Sequence, residues 1–560
     1  MATEIIMPKA GMDMQEGQIL KWMVEVGDVV EEGQVILEIM TDKVSMEVEA
    51  ETSGVLLQKV YDEGDTVPVI TTIGYIGEAG EEVAAETPAP KAEPVQAQDQ
   101  PATAKDPNRY DVAVIGGGPA GYAAAIKAAQ GGLKTLIVEK DVLGGTCLNR
   151  GCIPTKTYVE NAQIFNTIKN AENRGVILDN IAISVDLPKA VAFKNKVVKQ
   201  LTDGVAYLLK GNKVDVLNGV GSMDNDKNVY VDGAQVAQAQ NVILAGGSQS
   251  GRIPVPGLDS AKVLTSDDIL DLTELPESLV VIGAGVVGLE MAHIFNAYGT
   301  KVTVIEMCDR VLPGMDQDVS KEIGRILKRD GIQINLKTSL QSVEETETGI
   351  RLVTDQKTYE ADLALLSIGR TPDLSCIGTA DIQVEKNRVV VDEYFQTNMP
   401  GVYATGDING KRMLAHAAYK MSEVAVDHIL GKKSKIKMNC VPSAVYLHPE
   451  AASVGLTEEQ AAEQHKIIVG KFTYAGNGRA LATGNSKGFV KVILDEKYKE
   501  ILGVHIVGIS ASEVINTAAV MMANELTVYE AMDVVVDHPS YTEALHEAFC
   551  AAMGKALHAL

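Results

Sequence analysis

The segment GGTCLNRGCIPTK, residues 144–156, sets Cys147 and Cys152 five positions apart in a chain with only four other cysteines. Two thiols so placed could form a structural bridge, supply half of a metal site, or open and close as a redox couple. Five residues of regular α-helix rise about 7.5 Å, more than a disulfide tolerates. The pair can therefore bridge only where the helix is irregular, and Gly151 and Pro154 are residues that make it so. A strained or accessible bridge is readily reduced, as a working couple requires. A metal reading needs two more ligands, yet no second close cysteine pair and no nearby histidine accompanies these two. Inert reduced thiols are the blander reading, and it suits Cys308, Cys376, Cys440 and Cys550.

A second kind of chemistry is written twice. An apolar strand leads into Gly116, Gly118 and Gly121, then a helix, then a strand ending at Glu139; the same order recurs with Gly283, Gly285, Gly288 and Glu306. Each acid follows its first glycine by 23 positions. In such a turn the first glycine permits the bend, the second lets backbone N–H groups approach a pyrophosphate, and the third lets helix pack on strand. The helix N-terminus attracts the phosphates, and the acid accepts from the ribose hydroxyls. One such turn could be a bend without a ligand; two in full context argue for two dinucleotides. Glu306 repels a 2′-phosphate and "EMCDR" has no arginine directly beside it, which favours NAD over NADP, with Arg310 the opposing signal. Two dinucleotide sites and one close thiol pair imply an electron relay, a flavin in one site and a nicotinamide in the other.

These residues need a scaffold, and the patterning supplies one. From Tyr110 onward apolar strands alternate with helical segments, the signature of a parallel α/β protein, and two stretches of it align without a gap 167 residues apart. From about Met438 the pattern changes to a separate α+β domain. Residues 1–78 read as short strands with glycine turns, and "GQILKWMVEVGD" is echoed by "GVLLQKVYDEGD", which predicts a small quasi-symmetric β-sandwich. Between its halves a hairpin tip presents Lys43. The Ala/Pro/Glu/Gln-rich segment that follows cannot bury enough surface to fold and predicts a flexible linker, with a reach of roughly 30 Å.

Composition excludes some classes of function. The net charge of −25 opposes nucleic acid as a partner. Apolar runs fall far short of a bilayer span, so no membrane association is expected. The N-terminus shows no basic and apolar targeting pattern, and the expected location is the cytoplasm. Six cysteines in 560 residues are too few for a secreted disulfide scaffold, so a redox pair here is catalytic in purpose.

Several distant motifs, in order, carry a resemblance. "GGTCLNRGCIPTK", "GAGVVGLE", "SIGRTP", "GVYATGDING" and "HPSYTEALHEA" resemble the flavin-dependent pyridine nucleotide disulfide oxidoreductases from about residue 109 to the C-terminus. Residues 1–78, with "TDK" at the hairpin tip, resemble lipoyl domains. The organisation so implied is a lipoyl domain at 1–78 (a flattened all-β barrel), a linker at 79–108, Rossmann-like FAD and NAD domains at 109–258 and 259–386, a central FAD-contacting segment at 387–438, and a dimerisation domain at 439–560. The resemblance implies that NAD oxidises protein-bound dihydrolipoyl groups of a 2-oxo acid dehydrogenase-type complex, through FAD, in a homodimer. It assigns disulfide exchange to Cys147, the flavin-facing thiolate to Cys152, and base and orienting acid to His538 and Glu543. Lys156 and Glu290 resemble the pair beside the flavin's reactive nitrogen, Asp407 the residue holding its ribityl or pyrophosphate region, and Lys43 the lipoyl-bearing lysine. The chain departs from the family at Val536, where a second histidine is common, at "SYTE", and at "AGGS". Rival readings are a reductase of glutathione-like disulfides or mercuric ion, disfavoured by Glu306 and the lone Cys550, and a lipoyl carrier with a regulatory flavoprotein part, disfavoured by the intact Cys147, Cys152, His538 and Glu543 set.

Overall fold

Apolar alternation in the first 78 residues folds into two four-stranded antiparallel sheets whose inward faces meet around Ile19, Trp22, Ile36, Leu56 and Ile73. One sheet orders Thr3–Ile6, Thr72–Gly77, Gly54–Lys59 and Val29–Val30; the other orders Ser45–Glu49, Val35–Met40, Glu16–Trp22 and Thr66–Pro68. The two sequence echoes become a two-fold hydrogen-bond exchange. Gly27 N–H donates to Leu56 O (2.8 Å) while Gly64 N–H donates to Ile19 O (2.7 Å), and Met23 N–H to Ile36 O is matched by Val60 N–H to Ile73 O. Both turn glycines lie at positive φ, +100° and +93°, where a side chain would be strained. Each half thus closes the other.

The computed structural model describes residues 2–8, 16–40, 45–69, 71–78, 81, 107–179 and 182–559. Lys43 and nearly all of the predicted linker lie outside these. The chain divides into two units, Met1–Lys105 and Asp106–Leu560.

In the second unit, the two glycine turns sit at the ends of the central strands of two sheets. The first sheet runs Asp215–Asn218, Thr135–Glu139, Arg109–Ile115 and Ala234–Leu244 in parallel, with two antiparallel strands beyond and Val402–Ala404 also paired to Ala234–Leu244. The second is wholly parallel, ordered Val263–Leu264, Leu363–Leu366, Ser278–Ile282, Lys301–Ile305 and Gln333–Asn335. Parallel strands need crossovers, and the helices Pro119–Gln130 and Val286–Tyr298 supply them directly after the glycines. The latter helix is buried on almost every side. It packs on its own sheet and also against Tyr158 and Ala162 of the helix Cys152–Lys169 and Val445 and Leu447 of the C-terminal domain.

Residues 443–508 form a five-stranded antiparallel sheet, Ser443–Val445, Glu450–Gly455, Ile501–Gly508, Phe489–Asp495 and Ile467–Thr473. Its central strands are buried on both faces. One face meets the helices Ala511–Ala523 and Glu543–Ala552; the other meets the domain of the wholly parallel sheet. There the cross-strand neighbours Lys491 and His505 point at charge as well as at apolar surface. The fully buried Lys491 ammonium bonds the fully buried Asp316 (2.9 Å), Asp318 (3.2 Å) and Glu458 (2.5 Å). Burial alone would depress its pKa, but the Glu458 and Asp316 carboxylates raise it. Lys491→Met leaves those carboxylates without their cation and is expected to destabilise the folded protein by about 3 kcal/mol, read as a lower denaturation midpoint.

Candidate active site

The helical run from Gly145 is interrupted once, at Gly151 (φ −139°, ψ −109°), giving a short helix Gly145–Arg150 and a long one Cys152–Lys169. A Cβ at Gly151 would come within 2.9 Å of the Thr146 carbonyl oxygen, so glycine is required at the break. This is the irregularity the cysteine spacing demands. Cys147 ends up half-buried in the short helix, and the exposed Cys152 becomes the first residue of the long one. Unpaired N–H groups and the positive end of the dipole converge there, stabilising a thiolate. Both sulfurs are free thiols in this structure. A hydrogen bond between the two thiols raises the Cys147 pKa, with burial adding to it, and lowers that of Cys152 to about 7; Lys156 pulls both downward.

Lys156 follows Cys152 by one helical turn, on the same face. Its ammonium grips both oxygens of the buried Glu290 (2.9 and 3.1 Å). Glu290 also accepts from the Tyr446 backbone N–H (2.9 Å), and the Lys156 ammonium lies 4.3 Å from the Tyr446 ring centroid. Three segments far apart in sequence thereby fix one cation beside the sulfurs. Tyr446 was not singled out in the sequence; its backbone role leaves no mark on residue type.

The glycine turns match each other atom for atom. Gly116 and Gly283 adopt φ +108° and +105°, and a Cβ on either would collide with a neighbouring strand's carbonyl, that of Ala245 or Ser367. Gly121 and Gly288 would strike the carbonyls of Gly116 and Gly283, so the third glycine is needed for helix-on-strand packing. The middle glycines differ: nothing lies within 4 Å of a Cβ on Gly285, and at Gly118 the nearest atom is 3.7 Å away. That open space, at the N-termini of the helices that follow, is a cradle a pyrophosphate fits. Glu139 accepts from Gly117 N–H (2.5 Å) and Asp141 N–H (2.8 Å), and Glu306 accepts from Ala284 N–H (2.7 Å) and Cys308 N–H (2.8 Å). Each carboxylate is thus locked beside its glycine turn with lone pairs left for ribose hydroxyls.

Asp407 follows the strand Val402–Ala404, which joins the first sheet. Burial raises its carboxyl pKa, while the Ser248 hydroxyl, donating at 2.5 Å, and Arg370 pull it back. The Arg370 guanidinium in turn binds Ser248 Oγ (2.7 Å) and Ser248 O (2.6 Å). The sequence marked "AGGS" and "SIGRTP" as motifs without giving Ser248 or Arg370 a task; their partnership spans 122 positions.

His538 and Glu543 form a second cluster. Glu543 Oε1 lies 2.7 Å from His538 Nδ1, and its other oxygen accepts from the Ser540 N–H at 2.7 Å. The Glu543 hydrogen bond and charge raise the His538 pKa. With Nδ1 engaged, Nε2 is the ring nitrogen left for other partners, and the side chain is largely exposed at 76%. Among the described residues no hydrogen bond or ion pair joins this cluster to the cysteines, and no group of three His, Cys, Asp or Glu could hold a metal ion.

Two nucleotide-shaped cradles, a thiol pair at a helix start and a cation clamp define a redox protein, and the chain belongs to the pyridine nucleotide-disulphide oxidoreductase family, whose model matches residues 110–422. The dimerisation domain of that family matches residues 441–549, and residues 3–76 match the model described as biotin-requiring enzyme. A dihydrolipoyl dehydrogenase of Bacillus subtilis (strain 168) is 38% identical over 456 residues, covering 80% of this chain and 100% of the relative. The mitochondrial dihydrolipoyl dehydrogenase of Pisum sativum is 39% identical over 82% of this chain and 94% of its own, and a leghemoglobin reductase of Glycine max is 39% identical over 80% and 88%. Among solved structures, LpdA from Mycobacterium tuberculosis superposes with a TM-score of 0.73 at 28% identity, over 79% of this chain and 99% of that one. The HOCl-induced flavoprotein disulfide reductase RclA from Escherichia coli gives 0.71 at 29%, over the same shares.

In the reduced protein the thiol pair is expected to lose its first proton with an apparent pKa near 7. The pH dependence of thiolate ultraviolet absorbance measures it; Lys156→Met is expected to move that titration upward, and Cys152→Ser to abolish it.

Proposed function

We propose that this chain oxidises protein-bound dihydrolipoyl groups to the cyclic disulfide with NAD as acceptor. The observation that supports the reading is the interrupted helix, which sets Cys152 at a helix N-terminus beside Lys156, with Cys147 on the short helix just before it. With the couple oxidised, a substrate thiolate attacks the Cys147 sulfur, forming a mixed disulfide and releasing Cys152 as thiolate. The second substrate sulfur displaces Cys147, closing the substrate's disulfide, and its proton passes to His538 Nε2. Glu543 holds the imidazole in the tautomer that leaves Nε2 free and raises its basicity. A flavin held in the first cradle and a nicotinamide held in the second would supply the two-electron oxidation of the freed Cys147 and Cys152 pair, whose disulfide closes again, so that one dihydrolipoyl group and one NAD yield one lipoyl group, one NADH and one proton.

Gly116, Gly118, Gly121, Glu139 and Asp407 would hold FAD, and Gly283, Gly285, Gly288 and Glu306 would hold NAD. Lys156, pinned by Glu290, would favour negative charge beside Cys152. The exposed His538 suits a homodimer, in which one subunit's imidazole reaches the other's sulfurs. The dimerisation-domain match and the outward-facing Val535 at 97% exposure support that assembly. Among the described residues no helix is long and apolar enough to cross a membrane; a cytoplasmic enzyme serving the dihydrolipoyl domains of a 2-oxo acid dehydrogenase-type complex fits these features. Lys43 would carry a lipoyl group, at roughly millimolar effective concentration where the linker spans the distance.

Cys147→Ser or Cys152→Ser is expected to abolish NADH production from dihydrolipoamide; retained turnover in either refutes the reading. Glu543→Gln is expected to cut kcat about 100-fold. The base acts when neutral, so a raised His538 pKa places the onset of activity at higher pH; removing Glu543 moves that acid limb to lower pH in a pH–rate profile. Lys43→Arg is expected to leave oxidation of free dihydrolipoamide intact and to eliminate the lipoyl mass from the native protein.

A further inference from the structure

Arg310 is the one feature of the second dinucleotide site that argues against NAD, and the structure shows what restrains it. The loop from Glu306 to Leu312 is fastened to the glycine turn at both ends: Glu306 accepts from Ala284 N–H (2.7 Å), and Leu312 N–H donates to Ala284 O (2.9 Å). Arg310 therefore rides on a short loop beside the carboxylate that would take the ribose. Its guanidinium does not turn toward Glu306. It bonds Glu459 Oε1 at 3.0 Å, across a domain boundary.

The backbone that carries Glu459 is anchored. It lies in the first turn of the helix Glu458–Gln464, whose start is closed by a Thr457–Gln460 capping box. The Glu458 N–H donates to the buried Asp316 (3.1 Å), and the Glu458 carboxylate pairs with the buried Lys491 (2.5 Å). The C-terminal domain thus holds the backbone that places the Glu459 carboxylate against Arg310.

We propose that Glu459 is a specificity-determining residue: it neutralises and holds Arg310, so that the ribose meets Glu306 without a competing cation and a 2′-phosphate is refused. This rests on reading the second cradle as a nicotinamide dinucleotide site. A 2′-hydroxyl can donate to Glu306. A 2′-phosphate meets the charge of Glu306, with the nearby guanidinium already engaged. Removing the Glu459 charge would release Arg310 to make a charge-assisted contact with the phosphate.

The test uses the full-length, FAD-loaded protein and isothermal titration with adenosine 2′,5′-bisphosphate and with AMP. Glu459→Gln is expected to raise the ratio of affinities, bisphosphate over AMP, about tenfold, and to raise kcat/KM for NADP relative to NAD in the same direction. Glu459→Asp, which keeps the charge, should stay near the wild-type ratio, and Glu459→Gln with Arg310→Gln should return to it. An unchanged ratio in Glu459→Gln overturns the proposal, as does a gain that survives loss of Arg310, since the effect would then be a general field of charge. A wild-type protein that binds neither AMP nor NAD overturns the dinucleotide reading itself, an outcome distinct from the first two.

Discussion

The site rests on a helix that stops and restarts. Had residues 145–169 formed one continuous helix, the two sulfurs would stand on different levels and no bond could join them. The break at Gly151 does two things at once, drawing Cys147 toward Cys152 and making Cys152 a helix-first residue. The second effect divides the labour between otherwise identical groups. Cys152 gains the stabilising field of a helix end while Cys147 is half-buried in the short helix, and the ammonium of Lys156 favours a thiolate at either sulfur.

Around that break the structure secures what it needs by tying together remote segments. Lys156 is steadied by Glu290, 134 positions away, and Glu290 by a backbone group of the C-terminal domain. Asp407 is buttressed by Ser248 and Arg370. The C-terminal sheet, covered on both faces, holds the second dinucleotide-binding domain through apolar packing and through Lys491. A buried cation met by three carboxylates adds less to that contact than its Coulomb attraction alone, because desolvation offsets much of it.

Much of this was legible in the sequence because it depends on residue type at short spacing. The cysteines, both glycine triads with their acids, and the duplicated halves of the N-terminal domain are local patterns, and each appears as a local structure. His538 and Glu543, five positions apart, belong to the same class. What escaped notice works through backbone atoms or through partners distant in the chain. Tyr446 contributes an N–H that every residue but proline owns. Arg370 and Ser248 meet only in three dimensions. Lys491 sits in the strand Phe489–Asp495, where nothing in the neighbouring residues marks its partners; Asp316 arrives from another domain to pair with it as a buried cation.

The middle glycines of the two turns carry a different consequence. Gly118 and Gly285 have ordinary backbone angles, φ −72° and −77°, and neither faces a neighbour that a methyl group would strike. Alanine at either place would fold without complaint, and cellular quality control, which senses unfolding, would let such a chain pass. Assembly of the polypeptide and its hold on a nucleotide are therefore separable at these two points: a lesion at Gly118 would leave a stable chain with a damaged first cradle, and one at Gly285 a stable chain with a damaged second.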